Sequence, residues 1–106
     1  MIDLNNFAKS MLAVTKKREE NGANIKADTR SMLKHTATEV VEAMEAYTKW
    51  CFTGKEQVPT AFSSELADII ACVLITCANE GINIEAALAE CLKKNEARAE
   101  GKGDKL

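Results

Sequence analysis

Residues 61–78 read AFSSELADIIACVLITCA, a helical stretch that is apolar on nearly every side and yet carries two carboxylates, Glu65 and Asp68. A helix apolar all round belongs in a core or an interface. A buried carboxylate without a partner costs several kcal/mol even after relaxation, so positive charge is expected beside this pair. The preceding stretch repeats the spacing with Glu39 and Glu42, but neither pair has a cation in sequence register with it. Acids Glu39, Glu42, Glu65 and Asp68 on two neighbouring helices therefore suggest a metal site.

On a helical wheel Glu39 borders the apolar face of its helix and Glu42 lies about 60° further round, so both can look into one groove. On the following helix Glu65, Asp68, Cys72, Thr76 and Asn79 form a narrow polar stripe in apolar surroundings. That stripe is the expected floor of a site. For Glu39 and Glu42 a solvated helix flank stays open beside the metal reading. For Glu65 and Asp68 it is the weaker reading, because solvated flanks are not otherwise apolar.

Outward from this pair, the chain reads as all-α. Leu4, Phe7, Met11 and Leu12 recur at helical spacing after Asp3, and Asn21-Gly22 is a stop signal, giving a first helix over 4–20. A second runs over 27–51, with Met32, Leu33, Val40, Ala43, Met44, Tyr47 and Cys51 expected on its buried face. Gly54 and Pro59 break the pattern, and Thr60, Ser63 and Ser64 are candidate caps for a third helix over 61–79. After Gly81, Asn83 can cap a fourth over 83–98. One helical domain over 1–98 and a polar tail over 99–106 are expected, and 106 residues suffice to bury roughly two-thirds of the surface of the unfolded chain.

Short connections make the second and third helices an antiparallel hairpin. At about 1.5 Å rise per residue, Glu42 lies ~15 Å before the end of its helix, whereas Glu65 and Asp68 lie only ~6 to 11 Å into theirs. The depths agree only if the second helix ends earlier than drawn.

A formal charge of −2 gives no blanket of positive potential, so duplex nucleic acid is not an expected partner. The start, MIDLNNFAKS, lacks the features of a secretory signal, and the one long apolar run reads as short for a bilayer and carries two acids. A soluble, cytoplasmic protein without membrane contact is expected. Cys51, Cys72, Cys77 and Cys91 have neither paired spacing nor a completing histidine, and are expected as small, reduced core residues. The ion is then a hard one held by oxygen.

Carboxylates at i and i+3 project from adjacent turns and can share an ion. One Mg²⁺ leaves the four acids at −2, and a nucleoside triphosphate adds further negative charge, so two or more Mg²⁺ are expected with such a substrate, bridging phosphate oxygens and activating water. Mn²⁺ is a candidate substitute. The di-iron carboxylate bundles need Glu-x-x-His pairs, which the chain lacks.

The string ELADIIACVLITCANEGINIEAALAECLKKNEAR, with TEVVEAMEAY upstream, resembles the MazG-like all-α nucleoside triphosphate pyrophosphohydrolase superfamily, whose pattern is EExxE followed by ExxD. The likeness covers about 33–98. It implies a four-helix fold, a dimer or dimer of dimers, and Mg²⁺-dependent cleavage of a (d)NTP to (d)NMP and pyrophosphate, in the service of sanitising or balancing a nucleotide pool. It also implies that Glu39, Glu42, Glu65 and Asp68 are the catalytic metal ligands and that Asn95 and Arg98 hold the substrate. Two positions depart from the pattern. Thr38 stands where the family has the first acid of its doublet, and Cys91 stands where many relatives have a lysine, leaving Lys93 or Lys94 to meet phosphate.

His35, one turn before Glu39, is a candidate contact to base or phosphate, with a surface or packing role as the alternative. Trp50 could stack on a base or lie in the core. Phosphoribosyl-ATP hydrolysis and a non-catalytic nucleotide-binding module are the competing functions. The apolar excess of the third helix independently points to a symmetric homo-oligomer.

Overall fold

The computed structural model describes residues 2–101 and contains four helices: α1 (Leu4–Glu20), α2 (Thr29–Thr53), α3 (Thr60–Asn79) and α4 (Ile84–Ala99). Three of them start on side-chain caps that satisfy otherwise orphaned N–H groups. Asp3 accepts from the Asn6 amide, Asp28 from Ser31 and Asn83 from Ala86. The second helix thus begins at Thr29, because Asp28 rather than the backbone around Ala27 supplies the acceptor. Helix α3 starts differently from expectation. Its cap is Pro59, with no capping side chain, and the Ser63 hydroxyl donates back to the Pro59 carbonyl.

Helix α3 lies between the others, packed along α2 on one side and α1 on the other. Its C-terminal half supplies the buried Cys72, Leu74, Ile75 and Cys77; Ala8 and Thr15 of α1, Met32 and Ala43 of α2, and Ala27 of the connection are also buried. Thr15 is buried without penalty because its hydroxyl donates to the Met11 carbonyl. The connection before α2 is tied at both ends of Ala27: its amide donates to Glu19, and its carbonyl accepts from Asn79 Nδ2.

The hairpin corrects the expected depth relation. Helix α2 ends later than expected, at Thr53 with Gly54 in the left-handed region (φ 66°), yet the carboxylates still meet. The connection folds back along α2. The Trp50 indole N–H donates to the Lys55 carbonyl at 2.8 Å, and Phe62 stacks 5.7 Å from Tyr47 and 5.8 Å from Trp50. Helix α3 therefore begins level with the last turns of α2, which brings Glu65 back beside Glu42.

The expected buried face of α2 is only partly buried. Met32 and Ala43 are covered, whereas Leu33, Val40, Met44 and Tyr47 are exposed, Met44 at 64%. Cys72 and Cys77 are core residues as expected, but Cys51 and Cys91 are exposed; all four are free thiols. Helix α4 meets α1 at its beginning, where Asn5 donates to Asn83 and accepts from the Ile84 amide. No residue of α4 is buried. The radius of gyration is 16.6 Å, against ~13 Å for a compact chain of this length.

Among the described residues α3 is the one helix long and apolar enough to cross a bilayer by length and composition. The expectation that this run is too short is thereby corrected, since its 20 residues reach ~30 Å. Cys72, Leu74, Ile75 and Cys77 of its C-terminal half are buried within the chain and Glu65 lies at the α2 interface, while Leu66, Ile70 and Val73 stay exposed.

Candidate metal centre

Glu39 and Glu42 project from the middle of α2 and Glu65 from the second turn of α3. One carboxylate oxygen from each lies within 4.8 Å of the other two. Asp68 is outside this triad. It is exposed and lines an adjoining cleft, close enough to Glu39 for its charge to act on that group.

Glu39 is the unusual member. It is only 7% exposed, and its Oε2 has no hydrogen-bond partner, as is also true of Glu65 Oε2. Burial pushes its carboxyl up to about 7, aided by the facing Glu65 carboxyl, with which it can share a proton, and by the negative charges of Glu42, Asp68 and Glu65. Among the described residues no lysine or arginine pairs with the triad. The one side chain at ion-pair distance is His35, whose Nε2 lies 3.1 Å from Glu39 Oε1. A divalent cation would satisfy the orphaned oxygens and the clustered charge together, so the donor set fits a hard, oxygen-seeking ion. Burial, with the charge of nearby Glu39, raises the Cys72 thiol.

Two clefts flank the carboxylates. One, of about 300 Å³, lies between α1 and the hairpin and is lined by Met11, Arg18, Asn24, Met32, Glu39 and Asp68, among others. The other, of about 380 Å³, contains Glu42 and Glu65 together with Lys49 and Trp50. Trp50 is half-buried in the aromatic cluster rather than fully in the core, and it faces the acidic hairpin from this side.

The candidate substrate residues of α4 sit elsewhere. Asn95 folds onto its own helix, donating to the Cys91 carbonyl at 2.8 Å. Lys93 and Lys94 line a shallow groove along α4, and Arg98 is half-buried on its last turn. Since α4 packs chiefly against α1, the fold of a single chain does not gather these residues with the acids. Thr38 is exposed, its hydroxyl spent on the Lys34 carbonyl, so it offers no substitute for an acid. Sequence reading missed Arg18 and Asn24. Arg18 reads locally as a basic last turn of α1, and only tertiary packing brings it to the cleft with Glu39.

The four helices and the carboxylate cluster of the α2–α3 hairpin define an all-α protein with an acidic group able to hold a metal ion. Within it, residues 27–101 match the MazG nucleotide pyrophosphohydrolase domain, and the chain belongs to that family. Neither the curated proteins nor the solved structures give a match. Family membership assigns nucleotide pyrophosphohydrolase activity in general, and the family is generally dependent on divalent metal.

Proposed function

We propose that this protein is a Mg²⁺-dependent hydrolase that cleaves nucleoside triphosphates to the monophosphate and pyrophosphate, acting on the nucleotide pool in the cytoplasm. The observation that carries this reading is Glu39, a buried carboxylate with a partnerless oxygen, clustered with Glu42 and Glu65. Those three would hold the ion, with Asp68 beside them on the cleft wall. Bound there, Mg²⁺ supplies Lewis-acid stabilisation of phosphoryl charge and a water of lowered pKa. The carboxylates orient that chemistry on the rigid hairpin, and the apolar packing beneath them excludes bulk water. Arg18, at the far side of the cleft from the acids' own helices, is a cation available to the polyphosphate or base.

A second copy completes the reading. Val40, Met44 and Tyr47 on α2, and Leu66, Ile70 and Val73 on α3, each recur at i, i+4, i+7 and are exposed. The Tyr47–Phe62 contact places the two stripes side by side at one end of the hairpin. We assign this face to a homodimer, alone or as half of a dimer of dimers. In such an assembly α4, with Asn95, Arg98, Lys93 and Lys94, is available to a neighbouring copy's site.

Incubating the chain with a panel of canonical and modified triphosphates, with and without Mg²⁺, should release pyrophosphate only with the ion. Phosphoribosyl-ATP belongs in the same panel. Absence of turnover on every substrate would refute the proposal; tight nucleotide binding without turnover would select a binding module instead.

A further inference from the structure

We infer that His35 is a positioning residue, which holds Glu39 so that it offers a single oxygen, Oε2, to a divalent cation and so favours Mg²⁺ over Ca²⁺. The inference rests on the carboxylate-held ion of the proposed function and adds to it a source of ion selectivity.

The geometry is local and complete. His35 lies one helical turn before Glu39, so the two side chains share a face of α2. Its Nε2 is 3.1 Å from Glu39 Oε1, hydrogen-bonding distance, while Glu39 Oε2 is buried and has no partner. The two oxygens of one carboxylate are thus inequivalent: the imidazole lies against one, and the other is buried without a hydrogen-bond partner. His35 is the only histidine in the chain. It also lines both the cleft that contains Glu39 and Asp68 and the neighbouring groove with Lys26 and Lys34.

Such an arrangement bears on which ion fits. Mg²⁺ takes near-ideal octahedral geometry from single oxygens, whereas Ca²⁺ accepts six to eight ligands and readily takes both oxygens of one carboxylate. A glutamate with one oxygen held by a donor is matched to the first. Freed of His35, Glu39 could rotate or chelate through both oxygens, which removes geometry from Mg²⁺ and offers an extra ligand to Ca²⁺.

The test is calorimetric titration of Mg²⁺, and separately of Ca²⁺, into the metal-free full chain and into His35→Ala, His35→Leu and His35→Gln. Helicity and melting temperature serve as the folding control. Outer partners of metal ligands typically change affinity about 10–100-fold. We expect His35→Ala and His35→Leu to weaken Mg²⁺ by about 10-fold while Ca²⁺ binding is held or strengthened, and His35→Gln, which keeps a donor, to restore most of the Mg²⁺ preference. Equal weakening of both ions, or unchanged Mg²⁺ affinity in the donor-less variants, overturns the inference. A rise in nucleotide KM with unchanged ion binding overturns it also and makes His35 a substrate contact. A wild-type chain that binds neither ion overturns the inference as well, whereas the proposed function is refuted by absence of turnover across the triphosphate panel, an outcome distinct from these.

Discussion

The α2–α3 hairpin and α4 are built from similar materials and reach opposite ends. Both present polar residues at helical spacing, but the hairpin buries Glu39 against an apolar partner, whereas α4 touches α1 at its first turn and then leaves, with Leu92 62% exposed. Charge confined beside apolar surface is forced to find a counter-charge. Charge on an unpacked helix is solvated at little cost. The hairpin accordingly gathers its acids within one chain, whereas the polar residues of α4 stay on an unpacked surface.

The largest expected effect tests the hairpin. Replacing Glu65 by Gln keeps the shape and removes the charge, and should lower Mg²⁺-dependent pyrophosphate release by on the order of 10²-fold or more, since several kcal/mol of phosphoryl-charge stabilisation would depend on the ion we propose it holds. If Asn95→Ala in α4 proved equally damaging, the division between the two regions would need redrawing. Next in size is the exposed apolar face. Ile70, 56% exposed in the single chain, should be covered by a second copy. Ile70→Glu would place an uncompensated charge there and weaken association by about 10²-fold, read by sedimentation equilibrium. A wild-type chain that sediments as a monomer at micromolar concentration would end the dimer assignment.

Smaller effects sharpen the contrast. Asn5→Ala removes the side-chain bonds that hold the start of α4 to α1, at roughly 1 kcal/mol each. Amide exchange should rise throughout α4 and stay unchanged in the hairpin. The remaining test is of pH dependence. The Glu39 carboxyl is raised to about 7 by burial, by Glu65 and by its acidic neighbours, against an ordinary value of 4.5. Its contribution to metal-free stability is present in full below about 4.5 and is lost as pH rises through about 7. The melting temperature should fall across that window, and saturating Mg²⁺ should flatten or reverse the slope. Glu39→Gln should flatten it without the ion. A slope retained in that variant would mean that another group is responsible.

Much of the fold was legible because its signals are local. Asp3 and Asn83 cap their helices, and Asn21-Gly22 ends α1, with Gly22 at φ 87°. The end of α2 was less legible because Phe52 and Thr53 are exposed and continue no apolar period. Where α3 begins was obscured by hydroxyls that look like caps but do not cap. For the carboxylates, the i, i+3 spacing and the apolar setting identified candidates, and the fold brings three of the four into one cluster. Asp68 could not be separated from them, because its exposure depends on where the α3 surface meets α1. His35 was visible as a helical neighbour of Glu39, yet spacing alone does not say whether an imidazole faces a carboxylate or a ligand. Arg18 and Asn5 left no trace, since each matters through residues far away in the chain.

The return of the 54–59 connection has a practical outcome. By tethering its lone indole to a backbone carbonyl on the lip of the cleft with Glu42 and Glu65, the protein carries a built-in optical probe. Trp50 emission should report, without any label, whether the hairpin mouth tightens when cation or nucleotide arrives.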